Sequence, residues 1–306
     1  MSPIVYVDGE YVPADKAKVS MFDRGYIFGD GVYEVAPVIE GGIVDGERML
    51  ARLGDSLDGV GIAWPMEAAE IIGVFKELIA RNGLKEGMVY MQITRGVAER
   101  DFAFPARTLP VMTAFTKELS IVDNPRAGTG VTAAFVDDVR WKLRNIKSIS
   151  LLAQVLAKQQ AVEKRAYEGW MVDEEGFITE GTSSSAHIVM NGTLITRPLE
   201  APTGRILPGI RRSVILELAE QNAIPVEQRP FTKEEALNAE EALMSSATAG
   251  VLPIVEIEGK PIGSGEPGPL AKRLRELYLA HALAQVSSGA DDEGSPSGES
   301  GLPVQD

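Results

Sequence analysis

The chain has 306 residues, 44% of them hydrophobic, which is enough for one large or two modest cores. Its net charge of −14 argues against a nucleic-acid backbone as a partner. It contains no cysteine, which excludes disulfides, thiolate nucleophiles and cysteine–metal sites, and its two histidines, His187 and His281, lack the spacing of a metal site.

Residues 1–120 are predicted to form a small N-terminal α/β domain. The stretch IVYVDGEYV predicts a hairpin that turns at Asp8-Gly9. Amphipathic helices are predicted for ERMLARLGDSLDGVGI and EAAEIIGVFKELIARNG, the second ending at Gly83, and strands for GMVYMQITRG and LPVMTAFTKE. The N-terminus does not resemble a signal peptide and no apolar run is long enough to span a bilayer, so we expect a soluble cytoplasmic protein.

Residues 121–128 are predicted to be an interdomain linker, because this region is rich in glycine, proline and asparagine. A large domain is expected at 129–286. It begins with the strand VTAAFV and the helix after Lys147, followed by hairpins that turn at DEEG and NG. A helix from about Ile210, the strands EALMSS and IVEIEGKPI, and a last helix complete it. Residues 287–306 have the composition of a disordered acidic tail. The pattern predicts a two-domain α+β or mixed α/β fold.

Lysine, tyrosine, hydroxyl and carboxylate side chains are the reactive groups that this composition leaves. Lys147 lies between Ile146 and Ser148 in an apolar stretch just ahead of a predicted helix. An amine in an apolar pocket gives up its proton more readily and can then act as a nucleophile. The alternative is a lysine that extends to the surface from the start of the helix.

Three further stretches could carry chemistry. Glu180 ends a strand and precedes four hydroxyl residues, although an ordinary polar turn has the same pattern. Pro208-Gly209 leads into a helix at Ile210, and free N–H groups there could bind phosphate, although many helices begin this way without a ligand. The stretch MSSATAGVLPI could supply more donors. Pyridoxal phosphate needs all of these at once: a lysine for the Schiff base, an acid for the pyridine nitrogen, and a phosphate site.

Six blocks of sequence strengthen this interpretation. In order they are DRGYIFGDGVYEV (23–35), QITRG (92–96), RWKLRNIKSISLLAQVLAKQ (140–159), ITEGTSSSAHIV (178–189), ILPGIRR (206–212) and SSATAGVLPIVEIEGKPI (245–262). Together they resemble the fold-type IV pyridoxal-phosphate enzymes, and most closely the D-amino-acid transaminases. The resemblance implies pyridoxal 5'-phosphate as cofactor, ping-pong transfer of an amino group from a D-amino acid such as D-alanine to a 2-oxo acid, and a homodimer.

The resemblance also implies roles for individual residues. Lys147 matches the lysine that forms the Schiff base and then moves a proton, Glu180 matches the partner of the pyridinium nitrogen, and Arg140 matches an arginine near the ring. We call Arg52, the backbone N–H groups of Ile210 and Arg211, and the Thr248 hydroxyl the phosphate cup. The resemblance predicts a threonine where Arg211 stands. It also places Leu207 on the ring face and Ser183 and Ser184 near the cofactor.

The substrate pocket is expected to include Tyr33 and Val35, although alternation along a strand would explain both. The D-amino-acid enzymes bind the substrate carboxylate with an Arg-x-His pair after TRG, and here that stretch gives Arg100, Asp101 and Phe102. Phenylalanine thus replaces the histidine, and Asp101 could compete for Arg100. Pro37 replaces a common lysine. In the implied homodimer, loops of one small domain would line the partner's pocket.

Other activities stay open at this point. An (R)-selective primary-amine transaminase and, less favoured, a branched-chain L-amino-acid transaminase share the fold and the lysine. A cofactor-free binding or scaffold protein could also keep the fold, although the presence of Lys147, Glu180 and Arg52 argues against it.

Overall fold

The computed structural model of the protein describes residues 2–199 and 204–292. Its first sheet is antiparallel and has the strand order β2-β1-β6-β5-β3-β4. Apolar residues alternate along β5, so that one face of this sheet lies in the core. The strands are β1 (Ile4–Val7), β2 (Glu10–Pro13), β3 (Gly31–Ile39), β4 (Gly42–Ile43), β5 (Gly87–Thr94) and β6 (Val111–Glu118).

The second sheet is mixed, with the order β12-β11-β10-β13-β14-β7-β8-β9 and β15 paired to β14. Its strands β8, β9 and β10 are buried along nearly their whole length. The strands are β7 (Val131–Asp137), β8 (Glu168–Val172), β9 (Ile178–Gly181), β10 (Ser185–Met190), β11 (Thr193–Thr196), β12 (Val226–Gln228), β13 (Glu241–Ser246), β14 (Gly250–Ile257) and β15 (Lys260–Pro261).

Helices cover both sheets. The helices are α1 (Arg24–Phe28), α2 (Gly46–Val60), α3 (Ala68–Asn82), α4 (Arg126–Thr129), α5 (Leu152–Glu163), α6 (Ile210–Gln221), α7 (Lys233–Leu237) and α8 (Pro269–Asp292). One apolar cluster joins the first sheet, α2 and α3 to α6 and α8. The division at 121–128 therefore stays a prediction, since the core is continuous across it. Within the described ranges, no helix has the length and apolar character to cross a membrane.

Local sequence signals predicted several elements correctly. Asp8 and Gly9 form the first hairpin turn with φ of 46° and 99°, and Gly83 ends α3 in the left-handed region. The predicted disordered tail is wrong over its first six residues, because α8 continues to Asp292. The hydroxyls of Ser287 and Ser288 donate to helix carbonyls there, which a composition-based prediction does not consider. Residues 293–306 lie outside the described residues.

A buried ion pair fixes the start of α2 against α6 and α8. Asp45 precedes α2, and its fully buried carboxylate accepts a hydrogen bond from the Arg211 guanidinium. Arg211 also donates to the Tyr278 hydroxyl at 2.9 Å. Gln285 Nε2 donates to Asp45 Oδ1 at 2.9 Å, and His281 Nε2 lies 3.2 Å from the same oxygen. The side chain at position 211 therefore serves as a tie between three helices.

Replacing Arg211 by alanine should lower the free energy of unfolding by about 3–5 kcal/mol, because Asp45 would then be a buried charge without its cation. Urea unfolding measures this change. The control is Arg48→Ala, which breaks the half-exposed pair between Arg48 and Glu217 on the same two helices, and should cost about 1 kcal/mol or less. Equal losses in the two variants would contradict the assignment.

His187 on β10 is a fully buried histidine. Its Nε2 lies 3.0 Å from Ser245 Oγ, and its Nδ1 has no hydrogen-bond partner in the described part of the chain. Burial lowers the pKa of His187 to about 3, and the nearby Arg212 guanidinium acts in the same direction. The folded protein thus holds this imidazole neutral.

The pKa difference at His187 predicts acid sensitivity. Below its ordinary value of 6.5, the unfolded chain binds a proton that the folded protein does not bind until about 3, so the unfolding free energy falls through this window. Urea unfolding measures this effect. As the pH is lowered from about 7.5 to about 5, the unfolding free energy of His187→Phe should rise by about 2 kcal/mol relative to that of wild type. Ser245→Ala keeps the imidazole and should show no such gain. A pH-independent difference for His187→Phe would contradict the prediction.

Candidate active site

A cavity of about 320 Å³ lies where elements of both sheets meet. It brings together most of the residues that the sequence analysis selected, although they are spread widely along the chain. Those that line it are Tyr33, Val35, Arg52, Arg140, Lys147, Glu180, Ser183, Ser184, Leu207, Ile210, Arg211 and Thr248.

The loop before α5 holds Lys147 at this cavity. Its carbonyl accepts a hydrogen bond from the Tyr33 N–H at 2.9 Å, and its own N–H donates to Ser56 Oγ at 3.2 Å. Ile146 is buried against Gly59, where an added Cβ would lie 2.9 Å from Ile146 Cδ1. With the backbone fixed to β3 and α2, the Lys147 amine lies 3.9 Å from the centroid of the Tyr33 ring.

Glu180 is buried at the end of β9. Its Oε1 accepts hydrogen bonds from Arg140 and, at 3.1 Å, from the Leu207 N–H, while no described residue donates to Oε2. Burial raises the pKa of Glu180 above its ordinary value, although the Arg140 guanidinium opposes this shift. Arg140 is itself fixed by Asp138, whose pKa is held below its ordinary value, against the effect of burial, by Arg140 and Arg144.

Arg52 on α2 is held by a buried carboxylate from β3. Its Nε and Nη2 donate to the two oxygens of Glu34 at 2.8 and 2.7 Å, and the Glu34 side chain has no exposed surface. Arg52 Nη1 donates to the Pro208 carbonyl at 3.0 Å, two residues before α6. This geometry brings a guanidinium and the start of α6 to the same wall of the cavity.

The N-terminus of α6 offers unpaired donors. The N–H groups of Ile210, Arg211 and Arg212 have no hydrogen-bond acceptor among the described residues, as expected for a first helical turn that lacks a side-chain cap. Gly209 precedes them, and a Cβ there would lie 2.8 Å from Ser185 Oγ. Thr248 lines the same cavity from the turn between β13 and β14. Such a set can bind an anion of phosphate size.

The hydroxyls of Ser183 and Ser184 donate to a buried carboxylate of the protein itself. Ser184 Oγ donates to Glu168 Oε2 at 2.9 Å, and Ser183 Oγ donates to the same atom at 3.4 Å. The Thr182 hydroxyl donates to the other oxygen of Glu168. These hydroxyls therefore hold the turn after β9 to a buried carboxylate on β8, although Ser183 and Ser184 line the cavity.

Arg100 and Phe102 do not line the cavity of their own chain. They lie on an exposed loop between β5 and β6, and the Phe102 side chain is 78% exposed. Pro37 is buried in β3 and is also absent from the cavity wall. The cavity of one chain therefore contains the lysine, the acid and the anion donors, but not the predicted carboxylate arginine.

Sequence reasoning missed the buried carboxylates that support these groups: Glu34, Asp138 and Glu168. Glu34 falls on the same face of β3 as Val32 and Ala36, so a charge in an apolar row was the available signal of a buried partner. Glu168 begins a strand that is buried throughout. The partner of each acid could not be predicted from its own stretch of sequence.

Comparison with known proteins identifies the family of this chain. The family model described as Amino-transferase class IV matches residues 31–257. The D-alanine aminotransferase of Bacillus licheniformis is 38% identical over 283 residues, which cover 92% of this chain and 98% of that protein. The D-alanine aminotransferase of Staphylococcus aureus strain MSSA476 is 37% identical over 278 residues, covering 90% of this chain and 96% of that one.

Solved structures share the fold. The branched-chain aminotransferase of the archaeon Thermoproteus uzoniensis, solved with norvaline, superimposes with a TM-score of 0.81 at 26% identity, covering 94% of this chain and 97% of that one. The branched-chain enzyme of Escherichia coli has a TM-score of 0.83 at 23% identity, with coverage of 92% and 94%. The chain belongs to the class IV aminotransferases.

Proposed function

We propose that this aminotransferase uses pyridoxal 5'-phosphate to transfer the amino group of a D-amino acid to a 2-oxo acid. The observation that carries the proposal is the meeting of Lys147, Glu180, Arg52 and the first turn of α6 at one cavity. The D-alanine aminotransferases, of which the chain covers nearly the full length, support the D-amino-acid substrate.

The residues present fit this cofactor. The phosphate cup combines a guanidinium with N–H groups that have no acceptor in the described ranges, and Glu180 Oε2 has no donor there. Leu207 lines the wall next to Glu180 and would pack on the ring. When bound, pyridoxal phosphate supplies an aldehyde that receives the amino group and a ring that accepts electrons from the substrate Cα.

Within this proposal, Lys147 carries protons. Its amine would act as a general base that takes the proton from the substrate Cα. It would then act as a general acid that returns a proton to the cofactor carbon bearing the transferred nitrogen. The Tyr33 ring lies 3.9 Å from this amine and would attract it whenever the amine is charged. Arg140 orients Glu180 so that one carboxylate oxygen stays available for the pyridine nitrogen.

The proposal also includes a homodimer, because Arg100, the arginine expected to bind the substrate carboxylate, lies outside the cavity of its own chain. Two exposed apolar surfaces support this. The α5 face consists of Leu152, Val155, Leu156 and Val162, which are 51–70% exposed. The loop surface consists of Val19, Met21, Phe22, Tyr26, Val97, Phe102, Phe104 and Leu109. A partner covering the loop surface would bring Arg100 toward the second cavity. The cytoplasmic location stays a prediction.

An absorbance spectrum before and after adding D-alanine without an acceptor tests the activity. We expect a yellow protein that bleaches with D-alanine, and in Lys147→Ala a reaction slower by about 10²-fold or more. A yellow protein that responds only to (R)-1-phenylethylamine or L-leucine would instead indicate an amine or a branched-chain transaminase. A colourless protein that pyridoxal phosphate cannot reconstitute would contradict the cofactor.

Sedimentation velocity tests the dimer. Val155→Glu puts a charge in the middle of the α5 face and should shift the protein toward monomer with loss of activity, because a buried unpaired charge costs several kcal/mol. Gln221→Glu adds the same charge at an exposed position of α6, outside both apolar surfaces, and should stay dimeric. A fully active wild-type monomer would refute the homodimer.

A further inference from the structure

Arg100 lies beside a pair of phenylalanine rings and is close to both. Its Cζ is 5.5 Å from the centroid of Phe28 and 5.4 Å from the centroid of Phe102, and the two rings are 5.5 Å apart at 45°. A guanidinium within about 6 Å of a ring centroid is attracted to the ring face. The two rings therefore restrain the orientation of a side chain that is otherwise exposed to solvent.

The backbone that carries this group is held by a buried arginine. Arg24 Nη1 donates to the carbonyl of Asp101 at 2.6 Å and to that of Ala103 at 3.3 Å, on either side of Phe102. Arg24 Nε donates to Asp30 at 2.8 Å, and Arg24 Cζ lies 4.8 Å from the Phe28 centroid. The Phe28 ring is thus shared by a buried and an exposed guanidinium.

The N–H donors of Arg100 are left available by this arrangement. Asp101 accepts a hydrogen bond from the Ala103 N–H at 3.1 Å and forms no ion pair with Arg100. Within the described ranges, the Arg100 side chain makes no hydrogen bond at all, since its contacts are with rings. A guanidinium whose N–H groups make no hydrogen bond can offer two parallel bonds to a carboxylate.

We infer that Phe28 and Phe102 are positioning residues that orient Arg100 for the carboxylate of the amino donor. The inference rests on the proposed function and deepens it. A phenylalanine cannot donate a hydrogen bond as the histidine of the family pattern can, so here the recognition of the carboxylate depends on Arg100 and on how firmly the rings hold it. The two rings thereby set the preference for amino acids over simple amines.

Steady-state kinetics of the holoenzyme test this inference. Phe28→Leu and Phe102→Leu should each raise KM for D-alanine about 3- to 10-fold while kcat changes less than about 2-fold, because cation–π contacts of this strength act on ground state and transition state alike. Phe28→Tyr and Phe102→Tyr keep the ring and should restore the wild-type KM. The dissociation constant of pyridoxal phosphate should not change in any of them.

The matched control is Trp64→Leu, which removes a partly exposed ring from the segment between α2 and α3, outside both the loop surface and the cavity wall. Among the described residues this ring contacts no cation, so KM should stay at the wild-type value. Two outcomes would overturn the role of the rings while leaving the proposed function intact. In the first, wild type is active and both leucine variants keep its KM; in the second, the leucine variants weaken cofactor binding as much as they raise KM. A wild type that ignores D-alanine would overturn the proposed function itself.

Discussion

The buried ion pair between Glu34 and Arg52 is the interaction on which the rest of the site depends. It joins β3 of the first sheet to α2, and the free edge of Arg52 reaches the backbone just before α6. Because Glu34 has no contact with water, its charge requires a cation in this position. One pair thus fixes the angle at which the N-terminal sheet meets the helix that carries the anion donors.

The same strand also sets the position of the reactive amine. Tyr33 holds the Lys147 backbone through its N–H and supports the Lys147 side chain with its ring, while the next residue, Glu34, points to α2. Alternation along β3 therefore serves two opposite faces: one side chain faces the cavity and its neighbour anchors the helix behind it. Strand β3 therefore positions both Lys147 and the Arg52 side chain of the phosphate cup.

Local chemistry accounts for what the sequence predicted correctly. Turn residues gave the hairpins, and Gly83 and Gly209 marked the end of α3 and the beginning of α6. The blocks around Lys147 and Glu180 selected residues that line one cavity, and their catalytic roles stay a prediction. What could not be predicted depends on partners outside each local stretch: Arg211 faces Asp45, 166 residues away, and the Ser184 hydroxyl donates to Glu168, 16 residues away. Burial decided each of these, and no local pattern encodes it.

The tie between Asp45 and Arg211 also restricts how this sequence can have evolved. A threonine at position 211, the residue that the family pattern predicts, would strand the Asp45 carboxylate in the core. A neutral residue at position 45 alone would leave the guanidinium without its counterion. Each single replacement should therefore destabilise the fold more than the two together, so a change to the threonine form of the phosphate cup would have to pass through a less stable intermediate.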